Sequence, residues 1–239
     1  MTLKANWSMS LFGPTVLLLL IVVPAAAQTS EQFWPKVKVA FDLQPKTRLE
    51  VYGEKLNGEE LANTQWKIGV MGSYRMKRLV APHLGDIDDE KNHVMTLGAG
   101  YEHSYTNNNG DTKTENRLFI QGVPQFFVPR ADLLLQDRSR IEFRWVDGSY
   151  STRYRNKLTV ERTLKLARFR VTPYASGELF YDGDHHSWNQ NTYAFGAIFP
   201  YKKLLSLDTY FLRQNCTTCQ AEHVNAVGVT LNVFLIKKR

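Results

Sequence analysis

The stretch RYRNKLTVER, residues 153–162, sets Arg153, Arg155, Lys157, Thr159 and Glu161 on one side of a two-residue period, and Tyr154, Leu158 and Val160 on the other. That is β-strand alternation with one face charged. A few residues earlier RSRIEFRW, 138–145, repeats the design: Arg138, Arg140, Glu142 and Arg144 alternate with Ser139, Ile141, Phe143 and Trp145. A soluble sheet buries its apolar face and hydrates its charges. A membrane barrel does the reverse, turning the apolar face to lipid and lining its lumen with charge. The periodicity is the same in both, so compartment and strand length must decide.

The N-terminus points to export. MTLKANWSMSLFGPTVLLLLIVVPAAAQTS carries one cation, Lys4, then an apolar run from Val16 to Val23 and the small residues Ala25, Ala26 and Ala27 before Gln28. This is the layout of a secretory signal with an A-x-A type cleavage site, and the apolar run is far below the ~20 residues of a spanning helix. Residues 1–27 therefore read as a signal peptide and 28–239 as one domain. That length suits a single all-β unit.

Alternating segments recur through the rest of the chain: roughly 33–42, 47–55, 66–78, 93–105, 115–128, 133–146, 150–164, 168–182, 188–199, 204–214 and 222–235. The breaks between them hold turn chemistry, as in NNNGD (107–111), VDGS (146–149), DGDHH (182–186) and FPYKK (199–203). Most segments exceed ten residues, whereas globular strands usually have five or six and a tilted transmembrane strand needs about 9 to 11. Length favours an antiparallel up-and-down transmembrane β-barrel. Eleven segments conflict with the even strand number and shared periplasmic termini of bacterial single-chain barrels. The expectation is therefore twelve strands, with ten as the alternative, the weakest alternation lying in 33–65 and 79–92.

The last segment, HVNAVGVTLNVFL, sets Val227, Val229, Leu231, Val233 and Leu235 outward against Ala226, Gly228, Thr230 and Asn232, and Lys237, Lys238 and Arg239 follow. Phe33, Trp34, Trp66, Tyr101, Tyr105, Tyr150, Tyr181, Trp188, Phe199, Tyr201 and Phe234 fall near strand ends, where interfacial aromatics belong. A mean hydropathy of −0.35 is compatible with this fold, because half of each strand and every loop of such a barrel faces water.

FWP (33–35), LLQDRSRIEFRW (134–145), RYRNKLTVER, TPYASGELFYD (172–182), WNQN (188–191), LDTYFLRQN (207–215) and HVNAVGVTLNVF (223–234) resemble the bacterial family catalogued as domain of unknown function 2490. The resemblance covers nearly all of the chain beyond residue 27. It implies a predicted outer-membrane β-barrel and no activity, so it supplies no catalytic residues.

The charged face is expected in the lumen, with Arg138, Arg140, Glu142 and Arg144 beside Arg153, Arg155, Lys157 and Glu161, and Arg170, Tyr174 and Glu178 on the next strand. Cross-strand Arg and Glu pairs fill a small barrel with a hydrogen-bonded plug. The excess of cations over acids on these strands also fits a narrow anion-favouring channel or an anion-binding wall. A second class is an outer-membrane enzyme acting on lipid or glycan. Asp182, Asp184, His185, His186 and Ser187 share a loop, and His223 with Asn225 opens the last strand, but no spacing resembles a nucleophile elbow. A third class is a secreted soluble barrel binding an apolar ligand.

A net charge of +7 and a pI near 9.3 would ordinarily raise nucleic acid as a partner. Export argues against it, and the expected partners are outer-membrane lipid, lipopolysaccharide and the barrel-assembly machinery. No cofactor is expected. Cys216 and Cys219, the only cysteines, are expected to form a short-loop disulfide after export. A zinc site with His223 and His185 or His186 is the weaker alternative, since it requires two loops to meet.

Overall fold

The computed structural model describes residues 29–58, 63–79, 88–108, 110–166, 169–219 and 221–236; the signal-like segment and the basic C-terminal residues lie outside them. The described strands are β1 (Thr29–Gln44), β2 (Thr47–Asn57), β3 (Asn63–Arg75), β4 (Met95–Asn108), β5 (Asp111–Val128), β6 (Leu133–Val146), β7 (Ser149–Glu161), β8 (Leu164–Leu166), β9 (Phe169–Asp182), β10 (Ser187–Tyr201), β11 (Leu205–Cys216) and β12 (His223–Ile236). Each long strand is joined to the next by antiparallel pairing, from β1 through β7, on to β9, and through β12. A single parallel seam closes the sheet, with Thr29 against His223 and Asp42 against Ile236.

The wall is therefore a closed barrel of 11 strands, with β8 outside it. This corrects the expected twelve. The eleven alternating segments each supply one wall strand. The even-number rule misled because it assumes antiparallel closure. The parallel seam lets an odd number close and puts Thr29 and Ile236 at opposite ends of the barrel. The three-residue β8 pairs only with β9, through Leu164–Val171 and Leu166–Phe169, in a hairpin at the Ile236 end.

Alternation sorts the two faces of the wall. Outward residues such as Ile68, Leu118, Ile120, Leu158, Leu179, Phe195, Phe211 and Val227 are exposed, while Arg48, Glu102, Arg117, Glu142, Glu161 and Glu178 are buried. Soluble proteins rarely bury such charges. Inward aromatic rings also lie over glycines of the adjoining strand: a Cβ at Gly228 would collide with the Tyr210 ring, and one at Gly69 with the Tyr52 ring. Those two positions need glycine for the close approach.

Turn residues fix the ends. Asp147 and Gly148 both take positive φ, 47° and 86°, the geometry of a two-residue hairpin favoured by Asp-Gly. Aromatics form outward clusters near the Thr29 end, where Trp145 meets Tyr150 and Trp188 meets Tyr154 and Tyr181. Trp34 and Phe234, expected at the rims, face inward instead: Trp34 packs on Ala194, Leu212 and Ala226, and the Phe234 ring lies under the Arg48 guanidinium. Both sit on the inward parity of their strands, which outweighs nearness to a strand end.

Candidate functional site

Charges inside the barrel fall into three levels along its axis. Nearest the Thr29 end, Glu115 accepts hydrogen bonds from Arg117 (2.7 Å) and Arg144 (2.6 Å), Arg117 also pairs with Glu102 at 2.9 Å, and Asp182 accepts from Arg153 at 3.0 Å. At mid-height Glu142, with no solvent exposure, takes Arg155 at 2.9 Å and has Arg117 and Arg140 within 3.6 and 3.8 Å. Planar guanidiniums with several donors suit such shared carboxylates better than ammonium groups.

One wall of this middle level is short of acid. Glu178 accepts from both Arg138 (2.7 Å) and Arg155 (2.9 Å). Lys157 stands opposite Glu178 in the β7–β9 register, and among the described residues it has no ion pair within 4.0 Å. Arg140 donates to the neutral Gln121 at 2.6 and 3.0 Å and stacks on Phe119. Arg138 Nε is buried with no protein hydrogen-bond partner. These side chains line a chamber of about 490 Å³ whose other walls include Lys36, Glu54, Tyr52 and Tyr210.

The floor of the chamber is the described part of the β3–β4 connection that begins at Asp88, with Asp88, Glu90 and Lys91 facing it. Its one-turn 3₁₀ helix, Asp89–Asn92, is N-capped by Asp88, whose side chain accepts from Glu90 N. Asp88 accepts from Arg48 on β2 at 2.6 Å, and Lys91 Nζ lies 2.7 Å from both oxygens of Glu161 on β7. Gln125 of β5 donates to Glu90 O at 3.1 Å. Since β2 and β7 stand across the ring from one another, this segment is tied over the Ile236 end like a strap. Arg48 and Arg75, both held by Asp42 of β1 (2.8 and 3.1 Å), also reach the strap itself, at Glu90 (3.2 Å) and Asp89 (3.3 Å). Burial, with Glu50 and Asp88 adding negative charge, pushes the Glu90 carboxyl up to about 7. A residual cavity of about 140 Å³ lies beside the strap, against Asp208, Asn232 and Phe234.

Of the residues expected in the lumen, Arg138, Arg140, Glu142, Arg144, Arg153, Arg155, Lys157 and Glu178 are brought together there, and Glu161 serves as the strap's anchor. Arg170 is a correction. It is exposed in the β8–β9 hairpin opposite Lys165, because β9 outruns the wall at that end. Sequence reading missed Arg48, Arg75, Glu102, Glu115, Arg117 and the strap. Glu115 and Arg117 carried the same alternating signal as 138–144. The strap has no period, and only the charge density of DIDDEK (86–91) marks it.

Near the Thr29 end Cys216 and Cys219 are bridged, with Cα atoms 5.4 Å apart. Their loop is tied to β10 by Thr217 N donating to Asn189 O (2.9 Å) and Asn189 Nδ2 donating to Thr218 Oγ1 (2.8 Å). His223 Nδ1 lies 2.9 Å from Asn215 Oδ1, and among the described residues no group of three His, Cys, Asp or Glu side chains is placed to hold a metal ion.

No curated protein matches the sequence. Among solved structures the chain is similar to the β domain of the Bordetella autotransporter BrkA, at 11% identity over 77% of this chain and 81% of that one, with a TM-score of 0.43. The family model described as protein of unknown function (DUF2490) matches residues 27–221, and the chain, an all-β closed barrel with a charged interior, belongs to that family.

Proposed function

We propose that the protein is an outer-membrane barrel forming a narrow, anion-favouring channel held shut by the β3–β4 strap. In this reading residues 1–27 direct export and are removed, the assembly machinery inserts the barrel, and its outer wall meets lipid and lipopolysaccharide. The exposed apolar band supports the membrane placement, since soluble monomers rarely leave so continuous an apolar face in water. Strands of 11 to 18 residues in the wall are long enough to cross the hydrocarbon.

The observation that carries the channel reading is the sharing of one carboxylate, Glu178, between Arg138 and Arg155, with Lys157 beside them and Arg140 resting on a neutral amide. An anion in the chamber would meet unspent donors there, whereas a cation would face a net repulsive wall. A second reading, a structural barrel with a permanently filled lumen, is favoured by the strap's ties to both β2 and β7.

Planar-bilayer recording tests the two together. The native protein should conduct little. The double variant Lys91→Met/Glu161→Gln, which unties the β7 end of the strap without stranding a charge and leaves its β2 tie in place, should raise conductance severalfold with anion preference, and adding Arg138→Gln and Lys157→Gln should weaken that preference. Cation preference would overturn the anion assignment, and silence in the untied variant would favour the structural barrel.

A further inference from the structure

Charge is sorted between the two rims of the barrel. Every connection at the Ile236 end carries an exposed cation: Lys46 between β1 and β2, Lys77 after β3, Arg130 between β5 and β6, Lys165 in the β8–β9 hairpin, and Lys202 with Lys203 between β10 and β11. Among the described residues none of these six has an acidic partner within 4.0 Å. The described acids of this end are buried or half-buried, and Asp42, Asp88, Asp89 and Glu161 are engaged with Arg48, Arg75 and Lys91 in holding the strap. The Thr29 end is the reverse: Glu31, Asp111, Asp147, Asp184 and Glu222 are exposed there, against Lys113.

An exposed apolar side chain accompanies the cations at each of the five basic connections, namely Leu43, Met76, Val128, Phe169 and Tyr201 in order round the ring. Phe169, 77% exposed, projects with the hairpin in which Lys165 lies directly opposite Arg170. Like charges in that register repel, and an anion beside them eases the repulsion. The ring-like arrangement identifies the partner. A rod-shaped polyanion or an acidic protein would meet the cations of one side only, whereas a bilayer leaflet surrounds a barrel and meets all five connections at once. Cations set just beyond an apolar band are at the height of lipid headgroups, and Lys and Arg both bind phosphate strongly. The longest connection between the described strands, from Arg75 to Met95, is also at this end, and the longer connections of such barrels face outwards. Phosphates at that surface belong to the glycolipid of the outer leaflet.

We infer that the Ile236 rim, through its five basic connections, binds the phosphates of lipid A in the outer leaflet. The inference rests on the outer wall facing lipid and is independent of conduction.

The test uses the full chain in detergent micelles, titrated with lipid A, with dephosphorylated lipid A and with phosphatidylglycerol, and read by native mass spectrometry. The native barrel should retain lipid A and bind the dephosphorylated form at least tenfold more weakly. Lys165→Gln/Lys202→Gln/Lys203→Gln should lose at least tenfold in affinity for lipid A while keeping the electrophoretic shift on heating of a folded barrel, since all three side chains are exposed. Lys113→Gln, at the other rim, should bind as the native chain does. Equal binding of both forms of lipid A, or unchanged affinity in the triple variant, would overturn the inference, and tighter binding of phosphatidylglycerol than of lipid A would overturn the outer-leaflet assignment. Cell fractionation separates the two failures: a soluble protein overturns the lipid-facing wall and the rim site together, whereas an outer-membrane protein indifferent to the phosphates overturns the rim site alone.

Discussion

Replacing Glu142 by Ala should be among the most damaging single substitutions in the wall. Glu142 has no solvent exposure and lies among three guanidiniums, Arg155 at 2.9 Å, Arg117 at 3.6 Å and Arg140 at 3.8 Å. Removing one member of a buried ion pair typically costs about 3–5 kcal/mol, chiefly because the remaining charge stays buried without compensation. The three arginines do not suffer equally. Arg117 keeps Glu102 and Glu115, and Arg155 keeps Glu178. Arg140 retains only the Gln121 amide and the Phe119 ring. The expected loss is therefore at the lower end of that range, about 3 kcal/mol, and most of it should vanish when Arg140→Leu is added to Glu142→Ala. Urea unfolding of the barrel refolded into phospholipid vesicles measures both variants. A loss below about 1 kcal/mol for Glu142→Ala, or no recovery with Arg140→Leu, would refute the claim that this carboxylate holds the middle of the lumen together.

Ile120→Arg, at the centre of the outward face of β5, should cost about 2–4 kcal/mol in the same assay, whereas Arg153→Gln should cost less because Asp182 keeps Arg144 within 3.9 Å; equal tolerance would contradict the assigned faces. Docking of the strap should weaken as pH rises from about 4.5 to about 7. Over that window the undocked Glu90 ionises at its ordinary value while the docked carboxyl, pushed up to about 7, resists. Hydrogen exchange at 88–92, corrected for its intrinsic pH dependence, should then quicken towards neutral pH, and Glu90→Gln should abolish the trend; a flat profile in the native protein would refute it. Mass spectrometry of unreduced protein should find Cys216 and Cys219 two hydrogens lighter than the reduced pair, and two alkylatable thiols would overturn the bridge.

Alternation made the wall legible from the sequence. Because side-chain direction reverses at each residue, Arg138 to Arg144 and Arg153 to Glu161 announced both a strand and the face it turns inward. The same signal was present at Glu115 and Arg117, where the next inward positions, Phe119 and Gln121, carry no charge. Closure was not legible. Nothing in Thr29–Gln44 taken alone distinguishes a parallel from an antiparallel neighbour, and that one pairing decides between eleven wall strands and an even number. The strap was hidden because its geometry depends on partners distant in the chain, with Lys91 and Glu161 seventy residues apart. Arg170 went astray because alternation in β9 continues past the rim, where the rule still fixes a face but no longer a lumen.

The most direct test of a lipid-facing barrel with an inward charged face is a nitroxide scan of β7. A spin label would be placed at each position from 153 to 160 in a Cys216→Ser/Cys219→Ser background, with the protein in vesicles and collisions with oxygen and with a water-soluble nickel chelate compared. Oxygen contact should peak at 154, 156, 158 and 160 and fall at 153, 155, 157 and 159, a two-residue period in phase with Tyr154 and Leu158. Loss of the period, or oxygen maxima at the arginine positions, would contradict the account.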